Sequence, residues 1–88
     1  MERVIDLENV SRALDIISQT EYEVAIKREE DLWYTHRNMR DRIEFLHTIG
    51  VTDYSERDKM LAWAEGEYRK YTSKQEWAKV EKELDVGF

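Results

Sequence analysis

Two histidines, His36 and His47, are the only side chains in this chain of 88 residues whose ordinary pKa lies near neutrality, and there is no cysteine. Glu44 precedes His47 by three positions, the spacing that bundle helices use to ligate two irons. Such a site also needs carboxylates from other helices and a second Glu-x-x-His pair, and the chain has only this one. We therefore expect no metal site and no cofactor. Without cysteine, thiolate zinc and iron–sulfur ligation are excluded. There is no serine–histidine–acid order and no glycine-rich phosphate loop. Glu29, Glu30 and Asp31 are adjacent, so on a helix they point in different directions and do not form a general-acid pair. His36 falls within an apolar stripe, where a lone histidine reads as a hydrogen-bonded core residue. If that stripe pairs two chains, protonating facing copies of His36 weakens the pair below about pH 6.

Arg40 and Arg42 stand ahead of His47 with six and four residues between. Over this short stretch the pattern resembles the arginine–histidine motif of the HEPN ribonucleases. The resemblance implies a dimeric helical bundle in which His47 acts on the scissile phosphate and Arg40 or Arg42 holds it.

A recognition surface is the alternative use of the same segment. Tyr34, Asn38, Asp41 and Phe45 are spaced four, three, four, one face of a helix. Arg37 and Arg42 flank them, and Trp33 sits one step round. Aromatic and arginine side chains dominate binding hot spots. Trp63, beside the notch left by Gly66, joins this partner-binding set. Tyr34 and Phe45 can equally pack under neighbouring helices, and Trp63 can be a rim residue of the core. Trp77 fits its own helix's apolar face and is assigned to the core.

The net charge is −6, from 20 acidic and 14 basic residues. That sign repels a phosphate backbone, so no direct nucleic-acid binding is expected. It suits a partner with a basic surface, including the nucleic-acid channel of another protein, and it also simply confers solubility. The outward carboxylates of such a decoy are Asp15, Glu21, Glu30, Asp31, Asp41, Glu65 and Glu67. Charge is uneven along the chain: nine acids against four bases over residues 1–34, then a basic stretch from Arg69 to Lys82, a polarity able to pair subunits or orient a partner. No apolar run approaches the about twenty residues of a membrane span. The opening Met1-Glu2-Arg3-Val4-Ile5-Asp6 lacks the order of a signal peptide, so a cytoplasmic, non-membrane protein is expected.

The elements that position these residues are helices throughout. Proline is absent and glycine occurs only at residues 50, 66 and 87. The spacing predicts helices over about residues 7–18, 21–49, 54–71 and 74–84, the last able to continue the third. Asp6, Thr20 with Glu23, Thr52 or Asp53 with Glu56, and Ser73 with Glu76 are cap signals. His47 suits the last turn of the second helix and Gly50 its left-handed end. The first helix buries Leu7, Val10, Leu14 and Ile17, widened by Ala13 and Ile16. The third buries Leu61, Ala64, Tyr68 and Tyr71. The first two stripes are also in phase for one rod over residues 7–49.

A helix over residues 21–49 is about 43 Å long and the rod about 64 Å, more than the remaining residues can cover. The central seam of Leu32, His36, Met39, Ile43 and Leu46 is therefore the expected interface of a homodimer. A monomeric bundle of three or four helices is the alternative. The expectation is an all-α single domain over residues 1–88, a small helical bundle with one long central helix completed by dimerisation. Its function is non-enzymatic: a regulatory or inhibitory protein binding another protein through a helical surface, of a size and composition common among phage products. A nucleic-acid-mimic decoy and a HEPN-like ribonuclease are the alternatives.

Overall fold

The computed structural model describes the backbone of residues 6–86 and the side chains of residues 6–84. These residues form three helices, α1 (Leu7–Lys27), α2 (Leu32–Thr48) and α3 (Tyr54–Val86), with no strand among them.

Local chemistry sets each boundary. The Asp6 carboxylate accepts from the backbone N–H of Glu8 at 3.0 Å and starts α1. Asp31 accepts from Trp33 in the same way at 3.0 Å and starts α2. Asp53 and Glu56 make a reciprocal capping box at the head of α3, with N–H to carboxylate distances of 2.9 and 2.7 Å. At the end of α2, Gly50 adopts φ +83°, its N–H donates to the carbonyl of His47, and the N–H of Val51 donates to that of Leu46. This is a Schellman turn, with glycine in the left-handed position.

The end of α1 has the same hydrogen bonds on a different residue. The N–H of Glu29 donates to Ile26 and that of Glu30 to Ala25, with Glu29 itself at φ +58°. A left-handed conformation costs a residue with a side chain about 1–2 kcal/mol, so nothing in the residue type announces the turn. The break consequently falls at residues 28–31, and both the expected break near residue 20 and the single rod over 7–49 are superseded. Thr20 with Glu23 and Ser73 with Glu76 lie inside helices, because their cap signals have no accompanying chain reversal. The third and fourth segments are one helix.

The chain folds back on itself twice, and α2 packs against both neighbours. One core joins Leu14, Met39, Ile43 and Ala64, with Val10, Leu46, Met60, Leu61 and Trp63 against it. The other joins Tyr22, Ala25, Leu32 and Tyr71, with Ile26 and Tyr68 against it. The rings of Tyr22 and Tyr71 stack at 4.7 Å. Ser18 and Thr35, both buried, fall between the two cores in chain order. At the same level His36 stacks on Tyr68 at 4.6 Å.

This arrangement corrects the expected dimer seam. Leu32, Met39 and Ile43 are buried by α1 and α3 of their own chain, and His36 and Leu46 are half-buried. Residues 19–27 extend α1 far enough, and α3 is long enough, to cover a central helix of only 17 residues. A second copy is not needed to shelter that seam. On α1 the buried line shifts: Ser18, Tyr22 and Ala25 continue from Leu14, while Ile16 and Ile17 are exposed.

The long helix is also not the central one. With 33 residues, α3 is about 50 Å long against about 26 Å for α2. The molecule measures 64 × 18 × 15 Å with a radius of gyration of 16.0 Å, where a compact chain of this length has about 12 Å. Gln75 Nε2 donates to the Glu30 carbonyl at 2.8 Å, which sets the α1–α2 turn level with Gln75. Residues 76–86 run on past it. Trp77, expected in the core, is 66% exposed there, since neither shorter helix reaches it. No helix of the described residues is long and apolar enough to cross a membrane.

Candidate partner-binding surface

The seam of α2 faces inward, so the opposite side of the same helix faces out. Tyr34 is 62% and Phe45 61% exposed, and Asn38 and Asp41 between them are exposed. These side chains therefore do not pack under α1 or α3. Ile49, four residues beyond Phe45 and also exposed, continues the line as the C-cap of α2, although the sequence reading ended the face at Phe45.

Neighbouring groups hold this face in shape. Trp33 and Tyr34 meet edge to face at 5.5 Å, and the Arg37 guanidinium lies over the Trp33 ring at 5.7 Å. Arg37 also pairs with Asp41 at 4.0 Å. These partners are exposed, so the contacts orient side chains more than they stabilise the fold.

Beside Phe45 an open groove of about 450 Å³ runs between α1 and α2, lined by Val10, Ala13, Leu14, Asp41, Arg42, Phe45 and Leu46. Its α1 wall was hidden in the sequence because the spacing of Val10 and Leu14 reads as wholly buried. Arg42 is held at this groove by Glu21, with guanidinium–carboxylate distances of 3.0 and 2.7 Å, a two-point geometry. Arg42 thus joins α2 to α1 and has little freedom left for a partner.

Trp63 is not part of this face. It is half-buried against the Leu14 core and lines a second groove, of about 440 Å³, between α1 and α3 with Met60, Lys59 and Asp15. The eight expected partner-binding residues thus divide: Trp33, Tyr34, Arg37, Asn38, Asp41 and Phe45 share one side of α2, Arg42 is tied to Glu21, and Trp63 stands apart.

The candidate catalytic groups are engaged elsewhere. The Nδ1–H of His47 donates to the Thr52 carbonyl at 3.0 Å, and its ring leans on Tyr54 at 4.6 Å. His47 therefore braces the α2–α3 turn. Arg42 lies on another side of the helix, and Arg40 is two turns away. Glu44 faces Arg57 at 3.7 Å. Among the described residues no group of three or more His, Asp or Glu side chains is arranged to hold a metal. Burial of the His36 ring lowers its pKa, Arg40 adds to the shift and Glu65 opposes it.

The proposed decoy carboxylates are also occupied. Glu21 pairs with Arg42, Glu30 with Arg28, Asp41 with Arg37, Glu65 with Arg69 and Glu67 with Lys70, while Asp31 caps α2. Asp15 is the one of the seven without such a contact among the described residues. The polarity between the acidic and basic stretches is partly spent within the chain, where Lys82 meets Glu29 at 2.9 Å.

No protein-family model, no curated protein and no solved structure matches this chain.

Proposed function

We propose that this is a small non-enzymatic regulatory protein that binds another protein through the outer face of α2. The observation that carries the proposal is the pair Tyr34 and Phe45, each about three-fifths exposed on the side opposite the inward-facing seam, with an apolar groove beside Phe45. Large aromatics flanked by arginine and a polar middle have the composition of a binding hot spot with its rim. The engagement of His47 in the α2–α3 turn and of Arg42 with Glu21 supports a binding role over a phosphodiester-cleaving one.

The test is retention of a specific protein from extracts of the native host by immobilised wild type, compared with Tyr34→Ala and Phe45→Ala. Both positions are exposed, so both variants keep the helical spectrum. A partner held by wild type and lost by both variants supports the proposal; equal retention by all three overturns it. An inhibitory decoy is distinguished by salt, since binding through carboxylates weakens as ionic strength rises while binding anchored on aromatics changes little. Self-association competes for the same outer face, and light scattering of wild type against Phe45→Ala separates a homodimer from a complex with another protein.

A further inference from the structure

The apolar side of α3 changes over along its length. In its first half Leu61, Ala64, Tyr68 and Tyr71 face the bundle. Past Gln75 the large apolar side chains among the described residues are Trp77, Val80 and Leu84, which are 66%, 44% and 57% exposed. At 100° per residue they centre about 150–180° round the helix from Tyr71 and Gln75. The stripe thus points away from the protein's own core.

The other side of this segment is pinned. Gln75 Nε2 holds the Glu30 carbonyl at 2.8 Å and Lys82 Nζ holds the Glu29 carboxylate at 2.9 Å. The stripe cannot turn inward without breaking both contacts. Over residues 76–84 charge is sorted around it as well, and Lys74, one turn before Trp77, lies over the Tyr71 ring at 5.9 Å. Glu76 and Glu83 flank one edge and Glu81 the other, within about 70–95° of the centre, while Lys79 and Lys82 lie on the far side. The three glutamates are exposed and carry no ion pair among the described residues.

We propose that the projecting end of α3 is a docking site for a cationic amphipathic helix of another protein, with Trp77, Val80 and Leu84 as the apolar contacts and Glu76, Glu81 and Glu83 as the acidic rim. The rim selects this occupant. A second copy docked tail to tail brings glutamates against glutamates, and like charges across an interface oppose association. A helix with lysine or arginine beside its apolar residues satisfies both parts of the surface, in the helix-on-helix mode of peptide recognition. About three turns of helix make a small contact, so affinity falls in the weak, transient class. This surface is separate from the outer face of α2, and either stands without the other.

The test uses the full chain and a synthetic helical peptide about two heptads long, with leucines on one face bordered by lysines. Two controls are the same composition in scrambled order and the same pattern with glutamate for lysine. Titration calorimetry is expected to show micromolar binding of the lysine peptide alone. Trp77→Ala is expected to weaken it about tenfold. Replacing Glu76, Glu81 and Glu83 together by glutamine is expected to weaken it and to flatten its salt dependence. Tyr34→Ala and Phe45→Ala leave it unchanged. Equal binding of the scrambled or the glutamate peptide overturns the proposal, as does a Trp77→Ala variant that binds like wild type. Sedimentation showing a wild-type dimer dissolved by Trp77→Ala also overturns it, in favour of a second copy.

Discussion

Ile43 is the residue on which the internal placement of the α2 seam is most sharply tested. It is 0% exposed and packs in the core formed with Leu14, Met39 and Ala64, so Ile43→Val removes one methylene from a site that water does not reach. The loss for such a change is about 0.5–1.5 kcal/mol. A chain of 88 residues has a total stability of about 4–13 kcal/mol, so the variant remains folded. For a domain of this size each kcal/mol lowers Tm by about 4–8 °C, giving an expected drop of roughly 2–12 °C. The assay is thermal unfolding followed by far-UV circular dichroism at widely separated protein concentrations, with Phe45→Ala as an exposed control expected within about 0.5 kcal/mol of wild type. A core site gives a drop that is the same at every concentration. An interface between copies gives one that grows on dilution, by mass action. An unchanged Tm, or a concentration-dependent loss, would refute the assignment of this seam to the interior of one chain.

Acidification is expected to destabilise the fold through His36. Its folded pKa lies below the unfolded value, so the unfolded chain takes up the proton first. Stability is complete above the ordinary histidine pKa of about 6.5 and falls as pH drops below it toward the folded value; denaturant unfolding of His36→Gln should lack that part of the slope. Gly50→Ala is expected to cost about 1–2 kcal/mol from the positive φ alone, since a Cβ there meets no atom within 4 Å, and chemical denaturation will measure it. Asp53→Ala should lose about 1 kcal/mol with the capping box, whereas Thr20→Ala and Ser73→Ala, inside helices, should lose none; the same unfolding titrations check all three.

What the sequence discloses follows from where its signals are strong. The α2 seam, the Leu61-to-Tyr71 stripe of α3, the Asp6 and Asp53 caps and the glycine at residue 50 all combine periodicity or a cap with matching backbone demands, and each appears in the fold. The α1–α2 turn does not announce itself because Glu29 performs a glycine's task. The assignment of the seam to a second copy failed for a related reason: an end of α1 set at residue 18 leaves too little chain to cover α2. Trp77 was misplaced because helical spacing marks an apolar side without telling whether anything lies opposite it. The outer face of α2 was legible as a pattern, but its exposure depended on how far the other helices reach. The α1 wall of the adjoining groove needed the packed structure.

The unequal division of contacts around α2 bears on how the molecule opens. α1 meets α3 at few points, chiefly through Tyr22 against Tyr71 and around Leu14, while α2 and α3 pack along the whole of α2. The α2–α3 hairpin is thus a unit from which the first helix can peel. Such an opening bares Met39 and Ile43 and releases Arg42 from Glu21 while leaving the projecting tail of α3 in place. In hydrogen exchange, amides of residues 7–27 should then trade protons at a lower free energy than those of residues 36–46, as two separate steps of protection within one small domain.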